Sequence, residues 1–184
     1  MSTLGISIDP ATVDNYLDHF IDSFLIDKAY RYDVKGRKYI GTPLKYYFTD
    51  VGIRNALLRF RQQEENHIME NVLYRELCIR GYSVDVGMVE YRYRAEDGKD
   101  VRTQLEVDLI ARSGDKQIYI QSALHVDTPE KRRQETASLI RIPDHFKKIV
   151  VVRDPIVPWV DESGICYVGI REFLGGSYPD MELI

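Results

Sequence analysis

The chain has 184 residues, 44% of them hydrophobic and 29% charged, which suffices for one ordinary domain or one domain with a small appendage and excludes disorder throughout. Its net charge of −4 works against nucleic acid in general, so any DNA contact needs a local basic patch. No apolar run reaches membrane-span length, the start lacks a basic-then-apolar leader, and Cys78 and Cys166 stand far apart, a pattern that reads as a cytoplasmic protein with reduced thiols.

Asp9-Pro10 is a helix start, because Asp accepts from free N–H groups and Pro fits the first helical position. Val13, Tyr16, Leu17, Phe20, Ile21 and Phe24 follow at helical spacing. "AYRYDVKGRKYIGTPLKYYFTD" then predicts two or three short strands around a Lys35-Gly36 turn. A helix followed by a hairpin is the closing half of a winged helix-turn-helix. With "STLGIS" read as the end of an earlier helix, residues 1–49 are expected to be a partial winged helix, beginning inside a domain.

Asp50 is expected to cap a short helix through Phe60. A longer helix, "EENHIMENVLYRELCIRG", should turn Ile68, Val72, Leu73 and Leu77 inward and stop at Gly81. Strands at about 82–94, 103–111 and 116–124 come next. Pro129 opens a polar, basic helix, "KKIVVVRD" is a buried strand, and "GICYVGIREFL" adds a last strand and short helix. The fold class is therefore α/β, with αβββαβ order inside a second unit at 50–184.

That order is the core of the restriction-endonuclease-like PD-(D/E)xK fold, and candidate site residues fall where it needs them. Glu70 lies on the first helix, Asp108 on the second strand and Gln121 on the third. Such sites hold Mg²⁺ on carboxylates while the ion activates water, and a lysine beside the last acid orients that water. Here Gln121 brings no charge, and Ala123 stands where the lysine belongs. Lys116 and Lys131 are the substitutes considered. The ordinary reading is that Asp108, between Val107 and Leu109, faces solvent on a half-exposed strand, and that Glu70 is a solvated helix glutamate.

"RYDVKGRKYIGTPLKYYFTDVGIRNALL", "ENHIMENVLYREL", "RGYSVDVG", "EVDLIA" and "FKKIVVVRD" resemble the C-terminal part of prokaryotic AAA-type ATPases. Those proteins join a P-loop ATPase, a winged helix and a C-terminal domain of unknown function related to PD-(D/E)xK nucleases. The resemblance, from about Ile8 to Leu174, puts Glu70, Asp108 and Gln121 at vestigial catalytic positions, with Glu70 and Asp108 as weak metal ligands. It implies an accessory domain that has lost its catalysis, partnered by the parent's ATPase domain. No cofactor is expected beyond weakly held Mg²⁺. No Gly-x-x-x-x-Gly-Lys-Ser/Thr occurs, so ATP would belong to the missing part.

For DNA, Lys28, Arg31, Lys35, Arg37, Lys38 and Lys45 make the hairpin basic, and Asn15 is a polar contact candidate on the preceding helix. Asp14, Asp18 and Asp22 stripe that same helix and oppose groove entry. Lys131-Arg132-Arg133 with Lys147-Lys148 forms a second basic patch. The alternatives are a protein-interaction module with no nucleic-acid role, and an active Mg²⁺-dependent deoxyribonuclease.

Overall fold

The computed structural model describes residues 9–61, 64–94 and 98–176. The "STLGIS" segment and residues 95–97 of the expected turn lie outside them. In chain order the elements are α1 (Pro10–Asp22), β1 (Ile26–Asp33), β2 (Lys38–Phe48), α2 (Val51–Leu57) and α3 (Glu65–Ile79). β3 (Ser83–Arg94), β4 (Asp100–Ser113), β5 (Lys116–Ala123), α4 (Pro129–Thr136), β6 (Lys147–Val152), β7 (Trp159–Val160), β8 (Cys166–Gly169) and α5 (Ile170–Leu174) complete the order. The chain is an α/β protein built on one mixed sheet.

The caps act as their chemistry dictates. The Asp9 carboxylate accepts from the Ala11 N–H, Asp50 from the Ile53 N–H, and the Thr128 side chain from the Lys131 N–H. Gly81, at φ +82°, ends α3 in the left-handed conformation that glycine accepts without penalty. The helix expected through Phe60 stops at Leu57, because Arg59 and Phe60 adopt φ of 52° and 56° and cannot continue it.

The strand order is β2-β1-β3-β4-β5-β6-β8-β7. β3, β4 and β5 form an antiparallel meander, whereas β5, β6 and β8 run parallel, which is why β6 reads as an unbroken apolar run. β7 was not anticipated; it is a two-residue edge strand on β8. The hairpin expected to close a partial winged helix at 1–49 extends this same sheet. Arg31, Tyr32 and Asp33 of β1 pair in parallel with Val86, Gly87 and Met88 of β3. Gly87 sits at a register shift in β3, where an added Cβ would lie 2.9 Å from Val107 Cβ and Ile110 Cδ1.

Each face of the sheet carries its own core. One gathers Leu73, Leu77, Val86, Leu109, Ile120, Val151 and Phe173 under α3 and α5, and the other gathers Val89, Val107, Tyr119, Leu139, Val150 and Tyr167. On α3 the buried residues are Met69, Glu70, Asn71, Leu73, Tyr74 and Leu77, while Ile68 and Val72 are only partly covered. The helix is thus rotated from the expected face so that two polar side chains point inward. Asn71 accounts for part of this: its side chain accepts from the Phe48 N–H and donates to the Phe48 carbonyl, both at 2.8 Å, acting as a partner strand for the end of β2.

Candidate functional site

Asp108 sits where β4 and β5 separate. Their ladder ends at the Leu109–Ile120 pair, and beyond it the Asp108 carboxylate accepts from the Ser122 backbone N–H at 2.8 Å. Glu70 approaches from α3 and Gln121 from β5. All three line one cleft of about 320 Å³, with His67, His125, Lys131 and Glu135 also on its walls. The three expected residues thus border the same cleft, with Glu70 buried and Asp108 partly buried rather than exposed. Gln121 cannot act as a third acid, and its Oε1 lies 3.4 Å from the Ser138 hydroxyl, which donates to it. Ala123 is buried, leaving no cation at that position.

A lysine does reach the acids, from the basic hairpin expected to face DNA. Lys45 on β2 places Nζ 2.6 Å from Glu70 Oε1 and 2.9 Å from Glu106 Oε1. The Tyr47 hydroxyl donates to the same Glu70 oxygen at 2.5 Å, and Arg31 pairs with Glu106 at 2.8 Å. Burial alone would lower the Lys45 pKa, but the two glutamates hold it above the ordinary value. Burial also pushes Glu106 upward, and Lys45 with Arg31 more than offset this, so its pKa is lowered. Asp108 has no such partner. Burial, then the neighbouring Glu70 charge, raises its pKa to about 7 against the opposing Ser122 N–H and Lys45.

Of the two lysines considered as substitutes, Lys131 lines the cleft but pairs with Glu135 at 2.6 Å. Lys116 opens β5 opposite Ser113, at the other end of the strand from Gln121. Among the described residues, no group of three or more His, Cys, Asp or Glu side chains is placed to hold a metal ion. Of the three described acids that line the cleft, Glu70 is neutralised by Lys45 and Glu135 by Lys131, which leaves a hard dication Asp108 as the one carboxylate without an ion-pair partner.

The DNA-contact candidates divide. Asn15, Lys35, Arg37 and Lys38 are exposed. Arg31 is instead committed to Glu106, because β1 is an internal strand and its side chain turns toward β4. Asp33 accepts from the Lys35 and Gly36 N–H groups and so builds the turn that displays the cations. A second acid–base cluster, not among the expected site residues, adjoins the cleft at His125: its Nδ1 lies 2.6 Å from Asp154, and Arg153 bridges Asp154, His125 Nε2 and Glu65. Its only sequence signal was a polar Arg-Asp pair ending an apolar strand.

Fold and site together define a mixed-sheet α/β protein with a small, internally paired acidic cleft. Residues 1–64 match a family described as a domain of unknown function, DUF8612. An uncharacterized protein of Haemophilus influenzae is 35% identical over 140 residues, which is 76% of this chain and 31% of the relative, so the chain matches under a third of that protein's length. No solved structure matches. No helix among the described residues is long and apolar enough to cross a membrane.

Proposed function

We propose that this chain is a nuclease-like accessory domain of an AAA-type ATPase whose cleft no longer supports metal-dependent phosphodiester cleavage. One observation carries the reading. Glu70, Asp108 and Gln121 share a cleft on an αβββαβ frame, yet the third position is an amide and Lys45 occupies Glu70. An ammonium held between two carboxylates supplies internally the charge that a dication would otherwise bring. The relative's length, about three times the matching stretch, leaves room for an ATPase. Nucleic-acid contact would rest on Lys35, Arg37 and Lys38 with Asn15, and fusion of the hairpin to the sheet speaks for phosphate contact over groove reading by a separate winged helix. We place the protein in the cytoplasm.

The test is incubation of the full-length protein with duplex and single-stranded DNA in Mg²⁺ or Mn²⁺. The expected result is no cutting above the background of Asp108→Ala. Cutting that Asp108→Ala abolishes would establish the active-nuclease reading instead.

The protein-interaction reading has its own support. Val13, Tyr16 and Phe20 of α1 and the following Phe24 are 43%, 61%, 45% and 80% exposed, an apolar surface that suits contact with the rest of a longer protein. Salt-sensitive DNA binding that falls when Arg37 and Lys38 are neutralised would favour the nucleic-acid role over this one.

A further inference from the structure

A second cleft, of about 550 Å³, lies across α4 from the first. Lys131 and Glu135 line the Asp108 cleft, whereas Arg132, Arg133 and Thr136 line the second one. Successive residues of one short helix thus serve two hollows. The far wall is the sheet edge. Trp159 and Tyr167 are directly opposed on β7 and β8, and their rings stack at 4.0 Å, parallel within 2°. Tyr167 is buried and Trp159 keeps 37% of its surface, so the stack lines the cleft with a partly open aromatic side chain.

Arg132 is the unusual member. Lys131 and Arg133 pair with Glu135 and Glu130 on the same helix. The Arg132 guanidinium makes no ion pair with a carboxylate among the described residues and lies 5.8 Å from the Trp159 ring centre. Its Nε is buried without a hydrogen-bond partner. Arg132 nevertheless lines the cleft, so an anionic ligand there would give its guanidinium the charged acceptor that the described protein groups do not. A planar fork beside an indole suits a ligand that joins a flat ring to an anionic group.

We propose that this cleft binds a nucleotide unit, with its base on Trp159 and its phosphate on Arg132. The volume falls in the range of small-ligand sites, and base–aromatic stacking is tolerant of base identity. Thr136 donates its hydroxyl to the Arg132 carbonyl and keeps lone pairs free, and Ser163 adds a second hydroxyl for the sugar or phosphate. Two acids also line the cleft. Asp161 is occupied, accepting from the Ser163 and Ile165 N–H groups and the Tyr167 hydroxyl. Glu162 is exposed at the rim, which disfavours a long polyanion and fits a single unit, either free or at the end of a strand.

Trp159 is the chain's one tryptophan, so its fluorescence reports on this cleft directly. AMP and a short single-stranded oligothymidylate are titrated separately into the protein. Saturable quenching by AMP identifies a free nucleotide as the ligand, and quenching by the oligonucleotide alone identifies a strand end. In either case Arg132→Gln should weaken binding by about tenfold or more, and Arg132→Lys, which keeps charge without the fork, should weaken it less. Thermal midpoints of both variants establish that they fold, and Arg132→Lys carries the test if Arg132→Gln does not. The proposal is overturned by absence of saturable quenching with both ligands at millimolar concentration. It is equally overturned by unchanged binding in a folded Arg132 variant, or by quenching with an acidic peptide alone.

Discussion

Replacing Asp108 with Asn should stabilise the protein at alkaline pH and do little near pH 4. The carboxyl is raised from its ordinary value of 3.8 to about 7 by burial and by Glu70. Below the unfolded value both states carry the proton and nothing is lost. Between about pH 4 and about pH 7 the unfolded chain ionises while the native one keeps its proton, so stability falls as pH rises, and above that window the penalty is constant. At ~1.4 kcal/mol per pKa unit the full penalty is on the order of 4 kcal/mol, of which ~2.5 develops between about pH 5 and about pH 8. Asp108 opens onto a cleft, and solvent there reduces the figure to ~2 kcal/mol. Asn keeps an acceptor for the Ser122 N–H, so the bond that closes the β4–β5 fork survives. Urea denaturation of both proteins at about pH 5 and about pH 8 provides the measurement, and the difference between variants cancels the titrating groups that do not interact with Asp108. A difference that stays the same at both pH values would refute the reasoning, as would a variant that loses ground as pH rises.

Lys45→Met should cost about 3 kcal/mol, because it strands Glu70 in a largely buried position, and adding Glu70→Gln should recover most of that loss in the same urea assay. Gln121→Glu should give the cleft measurable Mn²⁺ affinity by calorimetry where the unaltered chain has far less, since it adds a carboxylate to the wall that carries Asp108 without adding a lysine to neutralise it. Gly87→Ala should destabilise by about 1–3 kcal/mol, as its Cβ would meet Val107 and Ile110 at 2.9 Å; a thermal midpoint equal to the parent's would contradict the packing described.

Local chemistry made most elements readable in the sequence. Asp9, Asp50, Thr128 and Gly81 mark helix ends by hydrogen bonding and φ preference, which depend on near neighbours alone. Three of the cleft residues followed from element order. Lys45 escaped because its partner Glu70 is on another element 25 residues away, and nothing in a basic hairpin distinguishes a solvated lysine from one buried against acid. Arg31 was misplaced for the same reason: its commitment to Glu106 depends on β1 pairing with β3, a parallel contact across more than 50 residues. The inward turn of Glu70 and Asn71 was equally hidden, since apolar periodicity is blind to polar residues that find partners inside.

The family match ends at residue 64, but the charges do not separate there. Arg31 and Lys45 lie before that point, and Glu70 and Glu106 lie after it. The two stretches are therefore joined by a debt of charge as well as by sheet hydrogen bonds. A chimera that took its first 64 residues from a relative lacking either cation would inherit uncompensated carboxylates. Such a join constrains how this segment can be exchanged among longer proteins: the cations and their acids must travel together.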